Sequence, residues 1–181
     1  MNDTPAKDEA IDDTPRTAFA GRAPLVAWTD WRKRDSASLV PHQEYDTYLA
    51  SPGRTNRQVD PYRRRKLSTF SPAICGLANG DALVAFQDAG SGQSDIRIVR
   101  MRRHGRRGRT RRVDDAGRRG GNAWRPQLAC ARRRVVAAWE DERDGPAQIY
   151  TARACAASLT APRPFATLSA FADERRRSSS K

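Results

Sequence analysis

No apolar run in this chain approaches the roughly 20 residues that a helix needs to cross a bilayer, so no membrane span is expected. The polar, acidic start MNDTPAKDEAIDD has no basic stretch followed by an apolar one, so no secretion signal is expected in the chain as it stands. Side chains that ligate metals are scarce. Three cysteines (Cys75, Cys130, Cys155) and two histidines (His42, His104) occur in 181 residues, with no C-x-x-C and no histidine at a ligand spacing. A zinc site needs about four such ligands brought together, so neither a metal nor a cofactor is expected. Cys75 and Cys130 lie in the apolar segments PAICGLA and PQLACA and are expected as small buried hydrophobes; nothing in their spacing argues for a disulfide. Lysine is nearly missing too: only Lys7, Lys33, Lys66 and Lys181 stand among 34 basic residues.

What is present is an ordinary globular balance, 38% hydrophobic and 30% charged residues, in a length that suits one domain of usual size. The formal charge of +13 is a statement about solubility and attraction to polyanions before it is one about a site. Ten arginines fall in RMRRHGRRGRTRRVDDAGRR, Arg100 to Arg119, with no aromatic residue among them. Single-stranded nucleic acid is held by aromatics stacked between basic residues. The run is therefore expected as a solvated loop and outer strand, with nucleic acid a minor reading of the charge.

The chain repeats itself. PLVAWTD (Pro24 to Asp30), LVAFQDAGSGQSDIRIVRM (Leu83 to Met101) and VVAAWEDERDGPAQIYTARA (Val135 to Ala154) each place an aromatic residue two positions before an aspartate: Trp28 and Asp30, Phe86 and Asp88, Trp139 and Asp141. Pro15, Pro72 and Pro126 precede those aromatics by 13, 14 and 13 residues, and Asp3, Asp60 and Asp114 precede the prolines by 12. Ile96 and Ile149 follow their aromatics by 10, and in the first unit YDTYLAS, Tyr45 to Ser51, takes that place after an insertion containing KRDSASLVPH. Repetition of this period is the mark of an architecture built from stacked units.

Each unit reads as four short antiparallel strands. PAICGLA and PQLACA are apolar segments opened by a proline, which suits a strand's first residue. LVAFQD and VVAAWED are β-branched and aromatic runs ending in Gly- and Asp-rich turns. DIRIVRM and QIYTARA alternate as half-buried strands do. QVD, RTRRVDD and PFATL supply a fourth segment. Four strands in a unit of this size predict an all-β propeller of three four-stranded blades, residues 15–61, 62–115 and 116–169. Residues 1–14 are expected to end a preceding repeat or extend the N-terminus, and the polar tail 170–181 to be disordered. Closed propellers have four to eight blades. Three blades therefore imply part of a larger propeller, or half of a six-bladed ring completed by a second copy.

The pattern of Pro126, Trp139, Asp141, Arg143, Gly145, Ile149 and Tyr150 resembles the sialidase-like propellers with BNR, or Asp-box, repeats, over about residues 3–168. The family's box, S-x-D-x-G-x-T-W, belongs on the turn between third and fourth strands. SPGRTN, HGRRGRT and AASLTAP stand there instead, keeping a small residue and a threonine but neither the aspartate nor the tryptophan. The resemblance implies export if the chain is a fragment, the missing signal fitting either truncation or a cytoplasmic outlier, and, for an active sialidase, three arginines on the substrate carboxylate, a Tyr and Glu pair as nucleophile and an Asp as acid/base. One such arginine belongs to an R-I-P motif, for which W-R-P at Arg125 and Pro126 is the counterpart. Arg125, Asp141, Arg143 and Asp144 are the candidate ligand-binding residues, with turn formation the competing role for the last three. Trp28, Phe86 and Trp139 are expected as packing positions between units. Tyr45, Tyr48 and Tyr150 are undifferentiated as nucleophiles. The expected function is a non-catalytic module binding glycan or protein, and the alternative is part of an exo-sialidase or another glycoside hydrolase.

Overall fold

In the computed structural model the chain is all-β, and its described residues are 12–30, 45–60, 68–90, 92–114, 121–155 and 166–168. Twelve strands run in chain order: β1 Asp12–Ala20, β2 Ala23–Asp30, β3 Asp46–Ala50, β4 Arg57–Gln58, β5 Thr69–Gly76, β6 Ala82–Asp88, β7 Asp95–Met101, β8 Arg111–Arg112, β9 Ala123–Ala131, β10 Arg134–Asp141, β11 Gln148–Cys155 and β12 Ala166–Leu168. They form three antiparallel sheets in sequential order, β1 to β4, β5 to β8 and β9 to β12. The first strands β1, β5 and β9 pack side by side. The tail after 168 and the proposed extension before 12 lie outside the described residues, as does all of AASLTAP.

The sheets stack face on face. Ala27 and Leu49 of the first pack on Ile74, Val84, Phe86 and Val99 of the second. The opposite face of the second, with Leu83, Ala85, Ile96 and Ile98, packs on Val135, Ala137, Trp139 and Tyr150 of the third. Two of the recurring aromatics, Phe86 and Trp139, thus lie between sheets. Trp28 is buried on the face of the first sheet turned away from the second, against Tyr48, Val26 and Ala50.

The two joints between sheets are built alike. At the first, Val59 N–H donates to Thr47 O at 2.8 Å, Thr69 N–H to Tyr45 O at 2.8 Å and Ala89 N–H to Ser68 O at 3.0 Å. At the second, Val113 N–H donates to Ile96 O at 2.8 Å, Ala123 N–H to Ser94 O at 2.8 Å and Glu142 N–H to Asn122 O at 3.1 Å. One bond in each set, Thr69 to Tyr45 and Ala123 to Ser94, ties the start of a sheet to the sheet before it, and the others close the ladders inside a sheet, where backbone groups would otherwise be buried without partners. At the opposite end Gly21 N–H donates to Leu77 O at 3.0 Å, and Gly76 lies so close that a Cβ there would stand 1.8 Å from Phe19 O. Only glycine permits that approach.

Three sequence expectations are corrected. The prolines do not open their strands: Pro15, Pro72 and Pro126 each stand fourth, after Asp12, Thr69 and Ala123. The ladder shifts register around each of them, between Asp13 and Arg16, between Phe70 and Ala73, and opposite Ala138 to Glu140. A bulge removes the ladder bond that proline cannot make, so the strand continues through it. Next, β7 is not half-buried. All its residues except Arg97 and Arg100 are buried, because a sheet lies on each side of it. Finally, Cys75 and Cys130 are joined in a disulfide between β5 and β9. Their separation in sequence carries no trace of this pairing, which arises because neighbouring first strands bring their Cα atoms to 5.7 Å.

Candidate functional site

Seven buried aspartates crowd the end of the sheets where the second strands finish: Asp30, Asp46, Asp60, Asp88, Asp95, Asp114 and Asp141. Their arrangement follows the repeat. Asp30 stands opposite Asp46 and Asp88 opposite Asp95, while Asp141 faces Gln148. Each meets donors that fix it. Trp28 donates its indole N–H to Asp30 at 3.1 Å, and Trp139 does the same to Asp141 at 2.9 Å. Phe86 has no such donor. At that position Arg97, directly across the ladder from Phe86, pairs with both Asp88 and Asp95.

Asp60 and Asp114, two residues beyond the short fourth strands, perform one task twice. Asp60 accepts Thr47 N–H at 3.0 Å and Asp114 accepts Ile96 N–H at 3.1 Å. The residue two before each bridges it to the aspartate at the start of the third strand. Gln58 donates to Asp46 at 2.8 Å and to Asp60 at 2.9 Å. Arg112 pairs with Asp95 at 2.8 Å and with Asp114 at 3.0 Å. Burial pushes the Asp114 carboxyl up, and the Arg112 guanidinium and Ile96 amide only partly oppose it, so its pKa lies above the ordinary value. Asp95 is likewise raised by burial against the pull of Arg112 and Arg97.

Of the sequence candidates, Asp141, Arg143 and Asp144 come together with Tyr150. Burial pushes Asp141 up, but Arg143, through its guanidinium and its amide, and the Trp139 indole outweigh that and hold it below the usual carboxylate range. Arg143 lies 4.4 Å from the centre of the Tyr150 ring, and the Tyr150 hydroxyl donates to Asp144. That bond, with burial, pushes the phenol up to about 12. Tyr150 thus acts as a donor to Asp144, and its shift runs away from ionisation. Gly121 backs this turn, since a Cβ there would stand 2.8 Å from the Arg143 backbone.

Arg125 lies apart from that cluster. It is exposed on β9 and reaches both oxygens of Glu140 at 3.2 Å. Its backbone is unusual: Thr14, Ser71 and Arg125, each the residue before a bulge proline, have φ of 50°, 47° and 49°. A left-handed residue costs energy without a glycine, and more so before proline, so its recurrence in all three units marks a shared constraint on the first strands. Thr14 and Ser71 were missed in the sequence, although their place before the recurring proline was a usable signal. The buried Asp46 and Asp95 were missed as well; only the ladder register shows them facing Asp30 and Asp88.

No family model matches the chain. No curated protein matches it either. Among solved structures it is similar to the endo-arabinase from Bacteroides thetaiotaomicron VPI-5482, at 11% identity and a TM-score of 0.57, with 92% of this chain and 66% of that one covered. The chain thus spans just under two thirds of that enzyme, a β-propeller glycoside hydrolase. Antiparallel all-β sheets and this likeness give the chain a propeller-like fold.

Proposed function

We propose that the chain is a non-catalytic, carbohydrate-binding segment of a sialidase-type β-propeller, its three sheets acting as three blades of a larger ring. The observation that carries the non-catalytic part is the fate of the carboxylates. Most glycosidases need two that face a shared space about 5 to 9.5 Å apart, and a sialidase needs at least an Asp acid/base and a Glu beside its Tyr, all free to exchange protons. Here the seven aspartates that the repeats place at one end are buried and bonded to amides, indoles, Gln58 or guanidinium groups. They are used as joints. Arg125, whose contact with Glu140 is exposed, is the group we assign to a ligand hydroxyl or carboxylate at this end.

The glycan half of the proposal draws on the likeness to a glycoside hydrolase fold. The ring is completed by a second copy, or by chain beyond these residues, against the exposed apolar face of the third sheet. Isothermal titration with arabino-oligosaccharides and with sialyllactose, run beside a reducing-sugar and sialic-acid release assay, tests the reading. Binding of either sugar, weakened by Arg125→Ala and without product, is expected. Product above a heat-denatured control would establish a glycosidase instead, and absence of binding to both sugars would remove the glycan assignment.

A further inference from the structure

At the end opposite the aspartates, the first and second sheets part to form a cleft of about 720 Å³. Its rim is made by the turns that stand where the Asp-box would be. Arg22, Arg54, Arg57, Arg102, Arg103 and His104 line it, and among the described residues no Asp or Glu does. Its floor is apolar, with Leu25, Leu49, Ala82 and Met101. A cavity of this size, apolar below with a few convergent polar groups above, has the proportions of a small-molecule site.

Two of the cationic groups, Arg57 and Arg103, are held by neutral partners, while Arg102 pairs with Asp81 at 3.5 Å. Arg57 reaches across from the first sheet, donates to His104 O at 3.2 Å and lies over Gly105, where any Cβ would stand 1.1 Å from its Nη1. Arg103 donates through Nε to His104 Nε2 at 2.9 Å. Arg22, Arg54, Arg57 and Arg103 have no ion-pair partner among the described residues. The one carboxylate beneath, Asp81, is buried and already taken by Arg100 at 2.7 Å and by the Arg103 amide at 3.0 Å. Guanidinium groups that line a cleft with no ion-pair partner among the described residues fit an anion that accepts several hydrogen bonds.

We propose that this cleft binds a short anionic oligosaccharide, a ligand with two or more carboxylate or sulfate groups on sugar rings. Its saccharide character rests on the carbohydrate reading above; its anionic character rests on the cleft alone. No aromatic residue lines the cleft among the described residues, whereas single-stranded nucleic acid calls for a basic track with stacking aromatics. Sugar rings can cover the apolar floor while their charges meet the rim.

The test is isothermal titration of the full chain with trigalacturonate, its neutral methyl ester, a heparin-derived disulfated disaccharide and an oligothymidylate of ten residues, each at two salt concentrations. Trigalacturonate or the sulfated sugar is expected to bind and the neutral ester not to. Arg54→Ala with Arg103→Ala should weaken the anionic sugar by about tenfold or more, since each lost charge-assisted contact is of that order. Arg153→Ala, on exposed β11 away from the cleft, should change nothing. If the double variant does not melt like its parent, the ester comparison on the unaltered protein still decides. Equal binding of ester and acid, no binding of either anionic sugar, or tighter binding of the oligothymidylate with a steep salt dependence would overturn the proposal. Arabino-oligosaccharide binding, measured in the same series, separates failure of the carbohydrate reading from failure of this site.

Discussion

The second and third sheets share a repeat but not an environment. In β6, ALVAFQD, every residue but Gln87 is buried; in β10, RVVAAWED, burial alternates residue by residue. Phe86 is 0% exposed, while Val136 on β10 is 44% and Ile149 on β11 52% exposed. The apolar content of the two runs is alike, so composition does not cause the difference. Among the described residues, the second sheet has a neighbouring sheet on both faces and the third on one. The open face of the third is the kind of surface that the second buries, which is why a further sheet, from a second copy or from more of the chain, is the occupant we assign to it.

The sharpest way to break the comparison is a cavity in the middle sheet. Phe86→Ala should cost about 3 to 5 kcal/mol in urea unfolding, because the rigid sheets on both sides cannot collapse on the void. A cost near that of a surface change would mean that the middle sheet is not enclosed in solution. Cutting the link between sheets comes next. Cys130→Ser, or reduction, should lower stability by about 2 to 4 kcal/mol, since the disulfide closes a long loop. Mass spectrometry of the unreduced, alkylated protein checks the pairing directly.

Gly76→Ala should cost about 1 to 3 kcal/mol by forcing the first and second sheets apart at Phe19. On the open face, Ile149→Ala should cost only about 0.5 kcal/mol in a monomer. If two copies close a ring, the same change becomes a core truncation of about 2 kcal/mol or more, and Ile149→Arg should halve the mass measured by light scattering. A monomer whose stability ignores both changes would leave chain beyond these residues as the occupant.

Acid titration separates the joints most gently. Asp141 and Asp81 titrate below their ordinary value when folded, so their contribution is present above about 3.8 and is lost as pH falls through the lower folded value. For Asp81 burial pulls upward, but the Arg103 amide, Arg100 and Asn79 outweigh it. Asp114 and Asp95 have the opposite sign. Their folded pKa values are raised, so the native state takes up protons first and gains stability as pH falls from above those values towards 3.8. Melting between pH 3 and 7 should show Asp114→Asn losing that gain and Asp141→Asn losing the acid-side decline.

Much of the architecture could be read beforehand because it rests on local chemistry. Aromatic and β-branched runs ending in Gly and Asp turns gave the second strands, and the Trp-x-Asp spacing marked a real contact, since a side chain two residues on in a strand lies on the same face. The candidate residues divide similarly. Asp141, Arg143 and Asp144 are neighbours in sequence and could be recognised as one cluster. The Arg100 to Arg119 run was misjudged as only solvated: Arg100 and Arg112 are bound to Asp81, Asp95 and Asp114, partners brought up by other strands and turns.

The sequence by itself determined the repeat, the strands within it and the aspartates and prolines that recur at fixed places, because each depends on periodicity and turn chemistry inside one unit. Only the tertiary structure decided which faces are covered, that Cys75 meets Cys130, that prolines sit on bulges, and that arginines from three separate turns line one cleft. Those are contacts between units, and the free energy that selects them comes from surfaces that touch only after the chain has stacked.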